Sequence, residues 1–168
     1  MSGRGTPALA ALAAAGIAHV VREYAVPEPV RVRDREVRPH YGIDAAAALG
    51  VEPDRVFKTL IASVDGLLVV GVIPVSGELD LKALAAAAGG HRAELAAPES
   101  AQRATGSVMG GISPLGHRHR MPVYLDSRAS AFATIFVSGG RRGLQVELAP
   151  GDLVRLAGAT TARIARKR

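Results

Sequence analysis

Lys58 stands inside an apolar run, Arg55-Val56-Phe57-Lys58-Thr59-Leu60-Ile61-Ala62-Ser63-Val64. The chain carries 21 Lys plus Arg, and only Lys58, Lys82 and Lys167 are lysines. Lys82 falls on an expected helix and Lys167 in a basic tail, which leaves Lys58 as the lysine without an ordinary home. An ammonium in a buried strand is costly unless a partner or a ligand compensates it. The ordinary alternative is a solvent-facing lysine whose stem lies over apolar neighbours.

Two Gly-rich segments offer backbone chemistry. Thr105-Gly106-Ser107-Val108-Met109-Gly110-Gly111-Ile112-Ser113-Pro114-Leu115-Gly116 holds four glycines and a proline. Such a loop can turn sharply and present successive N–H groups to an anion or to an oxygen gaining charge. No Gly-Lys-Ser/Thr follows it, so it is not a phosphate-binding P-loop, and its spacing does not fit a dinucleotide fingerprint. Ser138-Gly139-Gly140-Arg141-Arg142-Gly143 is a strand-to-strand turn with a hydroxyl, backbone donors and two arginines for phosphate, or else a plain basic hairpin tip. Ser138 has no His or Asp pattern that would make a nucleophilic triad. His117-Arg118-His119-Arg120 lacks a third ligand at useful spacing, so it reads as a solvated or phosphate-contacting patch and no metal is expected. A lysine, backbone donors and hydroxyls suit chemistry by positioning and electrostatics, with the reactive group supplied by substrate or water.

The elements that must position these groups follow from punctuation and periodicity. Thr6-Pro7 before an Ala-rich stretch closed by Gly16 predicts a capped helix over 8–15. A strand is expected over 17–26, then a basic loop or ragged hairpin over 27–40, then a short helix over 44–49 closed by Gly50. Asp65-Gly66 between β-rich runs predicts a hairpin of 56–64 with 67–73. Helices are expected over 80–88, 98–104 and 150–157. Strands are expected over 122–125, 134–137 and 144–148, with a short one near 162–164. Hairpin-like strand pairs with inserted helices, without βαβ alternation, predict an α+β fold with a mixed, mostly antiparallel sheet that closes into a barrel-like form.

Composition sets the frame. A chain of 168 residues, 48% hydrophobic, is read as one domain over 1–168, with 1–5 and 166–168 frayed. Aromatics make up 4% and Trp is absent, so Ala, Val, Leu and Ile must build the core. The absence of Cys excludes disulfides, a Cys nucleophile and thiolate metal sites within this chain. No apolar run reaches the ~18 residues that span a membrane, and no secretory leader is recognisable, so a cytoplasmic location is expected. A net charge of +6 favours polyanionic partners, nucleic acid first.

Four motifs taken in order carry a resemblance: Val56-Phe57-Lys58-Thr59-Leu60, Pro74-Val75-Ser76-Gly77-Glu78-Leu79-Asp80, Gly110-Gly111-Ile112-Ser113-Pro114-Leu115-Gly116 and Val137-Ser138-Gly139-Gly140-Arg141-Arg142-Gly143-Leu144. Together they resemble the YbaK family of free-standing prolyl-tRNA editing proteins, relatives of the editing insertion of bacterial prolyl-tRNA synthetase. The likeness runs from about residue 6 to about residue 166 and is nearest to the branch acting on cysteinyl-tRNA(Pro). It implies the barrel-like α+β fold with surrounding helices and removal of a wrongly attached amino acid from tRNA, with no cofactor. It implies Lys58 as the key functional residue, with Thr59 beside it. It places Gly110, Gly111, Ile112, Ser113 and Pro114 around the aminoacyl end, with Tyr24, Tyr41, Ser138 and Gly139 lining the pocket. The expected substrate is Cys-tRNA(Pro), with Cys-tRNA(Cys) beside it, cleaved with help from the substrate thiol. The partners are tRNA(Pro) and prolyl-tRNA synthetase, and the chain is expected to be a monomer. Gln145 stands where the family often has Asp, and the 27–40 segment is long and Arg-rich. An editor of another small amino acid such as alanine, or a non-catalytic aminoacyl-tRNA-binding module, therefore stays open.

Overall fold

Local punctuation places the elements much as the residues suggest. The computed structural model describes residues 5–28, 30–37 and 41–168. Helix α1 (Pro7–Ala14) is capped by the Thr6 side chain, which accepts from Leu9 N, and Gly16 leaves it at φ +65°. Strand β1 (Val20–Glu23) follows, shorter than the 17–26 expected. Strands β2 (Val30–Val32) and β3 (Arg35–Val37) form a hairpin whose turn residues Arg33 and Asp34 have φ of 47° and 62°. Helix α2 spans Tyr41–Leu49, beginning before the 44 expected, so that Tyr41 belongs to its first turn.

Strands β4 (Phe57–Val64) and β5 (Leu67–Pro74) pair in full register around the Asp65-Gly66 turn. The φ values of 49° and 89° there are those of the primed turns that match strand twist. Then come β6 (Gly77–Leu79), α3 (Leu81–Ala87), β7 (Ala93–Leu95), α4 (Pro98–Thr105), β8 (Val123–Asp126), β9 (Ile135–Ser138), β10 (Leu144–Leu148) and α5 (Pro150–Ala157). The short strands β6 and β7 were not expected; at three residues each they carry almost no periodicity.

The expected strand near 162–164 is replaced by two, β11 (Thr160–Ala162) and β12 (Ala165–Lys167), broken at Arg163-Ile164. The cause is Asp126, fully buried, whose Oδ2 accepts from Ile164 N at 3.0 Å and Ala165 N at 2.8 Å. These charge-assisted bonds hold the chain where it changes sheets. Residues 166–167, expected to fray, are instead held by pairing of β12 with β6.

Five strands form a mixed sheet in the order β11-β8-β5-β4-β7, and three form an antiparallel sheet in the order β1-β10-β9. Closure into a barrel is not seen among the described residues. The two sheets meet through a single parallel bridge, Val56↔Phe136, and the ladder stops there. One core packs Phe57, Ile61, Val70 and Val72 against α1, α4, α5 and the inner face of the three-stranded sheet. A second packs Val69 and Ile73 against Leu84 of α3 and Ile164. A third seals the seam, where Ala46 of α2 meets Val56, Val75 and Phe136. Phe57 and Phe136 are buried to within 2% of full burial, each contributing about 1.5–3 kcal/mol over an exposed position. No helix among the described residues is long and apolar enough to cross a membrane.

Candidate active site

The seam makes the site. Beyond the Val56↔Phe136 bridge, β4 and β9 run on in parallel without pairing, and two residues further along each strand stand Lys58 and Ser138. The opening between them is a cavity of about 240 Å³. Its wall takes Phe57, Lys58, Thr59 and Leu60 from β4, Ser138 from β9 and Gln145 from β10. Tyr41, Gly42 and Ile43 of α2 close one side, and Met109, Gly110 and Ile112 of the Gly-rich loop another. Arg168 reaches in from the chain end.

Lys58 is half-buried, and burial holds its ammonium below the ordinary lysine range. The Arg168 guanidinium adds to that lowering, while Glu78 opposes it. Two polar atoms in the wall, Thr59 Oγ1 and Gln145 Oε1, are buried without a hydrogen-bond partner. Thr59 and Gln145 are 8% and 7% exposed, so an ordered water or a bound ligand must supply the partners. The Gln145 amide lies beside the phenol of Tyr24. Burial pushes the Tyr24 hydroxyl up from its ordinary value, against hydrogen bonds from Gly143 and Gln145 that favour the phenolate, so it stays protonated.

The Gly-rich loop is fixed from three sides. Gly111 N donates to Val108 O at 3.0 Å, closing a turn with Gly110 at φ +85°, the position of a type II turn that demands glycine. A Cβ on Gly110 would also lie 2.4 Å from the Tyr41 ring. Arg142 clamps the loop: its Nε donates to Met109 O at 2.7 Å, and its guanidinium lies 4.5 Å from the Tyr41 ring centroid. At the loop's far end, half-buried His117 sits against Ser113 O through Nε2.

The structure therefore brings Lys58, Thr59, Tyr41, Gly110, Ile112 and Ser138 together and leaves other expected residues outside the wall. Gly111 packs against the backbone of Arg141 and Arg142, where a Cβ would come within 2.7 Å, and its N–H is spent on the turn. Ser113 Oγ accepts from Leu115 N, and Pro114 is buried under the loop. Gly139 donates to Leu144 O and accepts from the Thr6 hydroxyl, closing its own turn. Tyr24 stands one layer back, behind Gln145. These residues shape the site rather than face its contents. Gln145 and Arg168 were not expected in the wall. Gln145 is signalled as the residue standing where the family often has Asp, whereas nothing local to Arg168 marks it.

A cation, two unpaired polar atoms and a glycine loop at a sheet seam make a site for a small polar ligand. The chain belongs to the aminoacyl-tRNA editing domain family, which matches residues 41–156. It is 41% identical over 123 residues, covering 73% of this chain and 75% of the relative, to an Enterococcus faecalis protein, EbsC, named as a candidate Cys-tRNA(Pro)/Cys-tRNA(Cys) deacylase. It is 32% identical over 110 residues to the proline–tRNA ligase of Shouchella clausii, covering 64% of this chain and 19% of that enzyme. Two solved structures share the fold. A candidate trans-editing enzyme for prolyl-tRNA synthetase superposes with a TM-score of 0.79 at 24% identity, over 98% of this chain and 99% of the other. The hypothetical protein APE2540 superposes with a TM-score of 0.81 at 23% identity, over 96% and 100%.

Proposed function

We propose that this protein is an aminoacyl-tRNA deacylase that clears cysteine from mischarged Cys-tRNA(Pro), and from Cys-tRNA(Cys) as a second substrate. The observation that carries this reading is the pairing of the Lys58 cation with the two buried, unpaired atoms of Thr59 and Gln145 in one small cavity. Family membership and the likeness to EbsC support it. The protein acts as a single, monomeric cytoplasmic domain, and prolyl-tRNA synthetase hands it the substrate.

Among the described residues, the wall offers no carboxylate and no histidine. Ser138 Oγ accepts from Gly140 N at 3.2 Å and has no base beside it. With cysteine as the substrate, the nucleophile is taken from the substrate itself. The cysteine sulfur loses its proton and attacks its own ester carbonyl. The bond between the carbonyl carbon and the ribose oxygen breaks, that oxygen takes up a proton to become the ribose hydroxyl, and a cyclic thiolactone leaves, to be opened by water. Cationic Lys58 holds the phosphate or ribose of the terminal nucleotide and favours the thiolate nearby. N–H groups of the loop at Gly110 and Ile112 face the oxyanion. Gln145 Oε1, neutral where a carboxylate would bind ammonium more tightly, accepts from the substrate α-ammonium. Thr59 Oγ1 takes the remaining polar contact.

Single-turnover deacylation of Cys-tRNA(Pro), Ser-tRNA(Pro) and Ala-tRNA(Pro) tests the reading. Rapid loss of cysteine with serine and alanine retained is expected. Equal rates for cysteine and serine would defeat the thiol mechanism, faster loss of alanine would make water the nucleophile, and no deacylation of any would leave a binding module. Lys58→Ala is expected to abolish turnover with an unchanged melting profile.

A further inference from the structure

A second cavity, about 510 Å³ and so twice the volume of the first, lies on the opposite side of the segment 74–76. Val75 faces the first cavity, whereas Pro74 and Ser76 face the second. Arg168 lines both, so the two spaces share a wall. The second is walled further by Asp54, Arg128, Ala131, Phe132 and Lys167.

Its charge is unbalanced. Arg128, Lys167 and Arg168 face one carboxylate, Asp54, which is engaged by the Ser76 hydroxyl. Among the described residues, Arg128 has only a distant partner, Asp126, at 4.0 Å, and both Asp126 oxygens already accept backbone N–H groups. Lys167 and Arg168 form no ion pair among the described residues. Cations gathered around a concave space without matching carboxylates suit a polyanion. Phe132 adds an aromatic wall on which a base can stack.

We propose that this cavity binds the nucleotide preceding the terminal one in the single-stranded acceptor end of the tRNA. Arg128 and Lys167 meet its phosphates, Phe132 meets its base, and Arg168 bridges to the phosphate entering the first cavity. This rests on the deacylase reading for its ligand but is tested apart from it. The first cavity would then recognise the aminoacyl adenosine, and the second would recognise the strand that carries it.

The experiment compares wild type with R128Q/K167Q and with F132A, each checked by thermal melting. One arm titrates an uncharged single-stranded RNA ending in cytidine-cytidine-adenosine, which needs no catalysis. R128Q/K167Q is expected to weaken its binding by about tenfold or more and to lower the salt slope by about 1.4, the share of two single-strand phosphate contacts. F132A is expected to weaken binding about tenfold without changing that slope. A second arm measures turnover of Cys-tRNA(Pro) and of cysteinyl-adenosine. KM for the tRNA rises with kcat kept, and cysteinyl-adenosine is cleaved as by wild type. Unchanged RNA binding in both variants overturns the proposal, as does equal loss on tRNA and cysteinyl-adenosine. If neither substrate is cleaved by wild type, the deacylase reading fails while the RNA arm still decides the second cavity. K167E, altering an exposed side chain, repeats the binding arm if the double variant melts early.

Discussion

Thr59 and Gln145 are unusual as residues because each keeps a buried oxygen, Oγ1 and Oε1, that no group among the described residues pairs with. A buried hydroxyl or amide oxygen without a partner costs about 1–3 kcal/mol, so these two are expensive to keep. Thr59→Val removes the hydroxyl at nearly constant shape. Thermal melting is expected to show equal or higher stability, while kcat/KM for Cys-tRNA(Pro) drops about tenfold, the value of one hydrogen bond to a polar substrate group. A variant that keeps full activity would show that the ligand does not use Thr59. Sequence alone marks Lys58, because an ammonium breaks an apolar run visibly. It does not mark Thr59 as an orphan, because a threonine is at home in any strand. The missing partner appears only once neighbours from β9 and β10 are in place.

At the scale of elements, the Gly-rich loop is a rigid wall. Gly111 is pressed on the turn after β9, and Gly116 sits where a Cβ would meet the backbone of Pro7 at 2.5 Å. His117 contributes to this packing in its neutral form. Burial depresses its pKa below the ordinary 6.5, only partly offset by Ser113 O. The unfolded chain therefore takes up a proton at a pH where the folded chain does not. The stability contribution is complete above the unfolded pKa and is lost as pH falls through the folded one. Between about pH 7 and about pH 5, melting of wild type is expected to decline more than that of H117Q, which cannot titrate. Equal declines would remove His117 from the acid response. The loop itself was legible from its glycines. The division of labour within it was not, because Gly110 facing the cavity and Gly111 facing the neighbouring turn differ only in what lies across from them.

For the whole molecule, the net charge of +6 and the cations around both cavities make encounter with tRNA an electrostatic event. Raising salt from about 50 to about 200 mM is expected to weaken tRNA binding at least tenfold, with kcat at saturation little changed. A salt-independent KM would place recognition in uncharged contacts. The sequence by itself determined the helices, the Thr6 cap of the first, the Asp65-Gly66 hairpin and the odd lysine, because backbone propensity and apolar periodicity are written in adjacent residues. The tertiary structure alone decided that the sheets stay open, that β4 and β9 part after one bridge, and that Gln145 and Arg168 join Lys58 in the gap. Those facts depend on pairings between segments far apart in the chain. No local pattern encodes where two sheets stop touching.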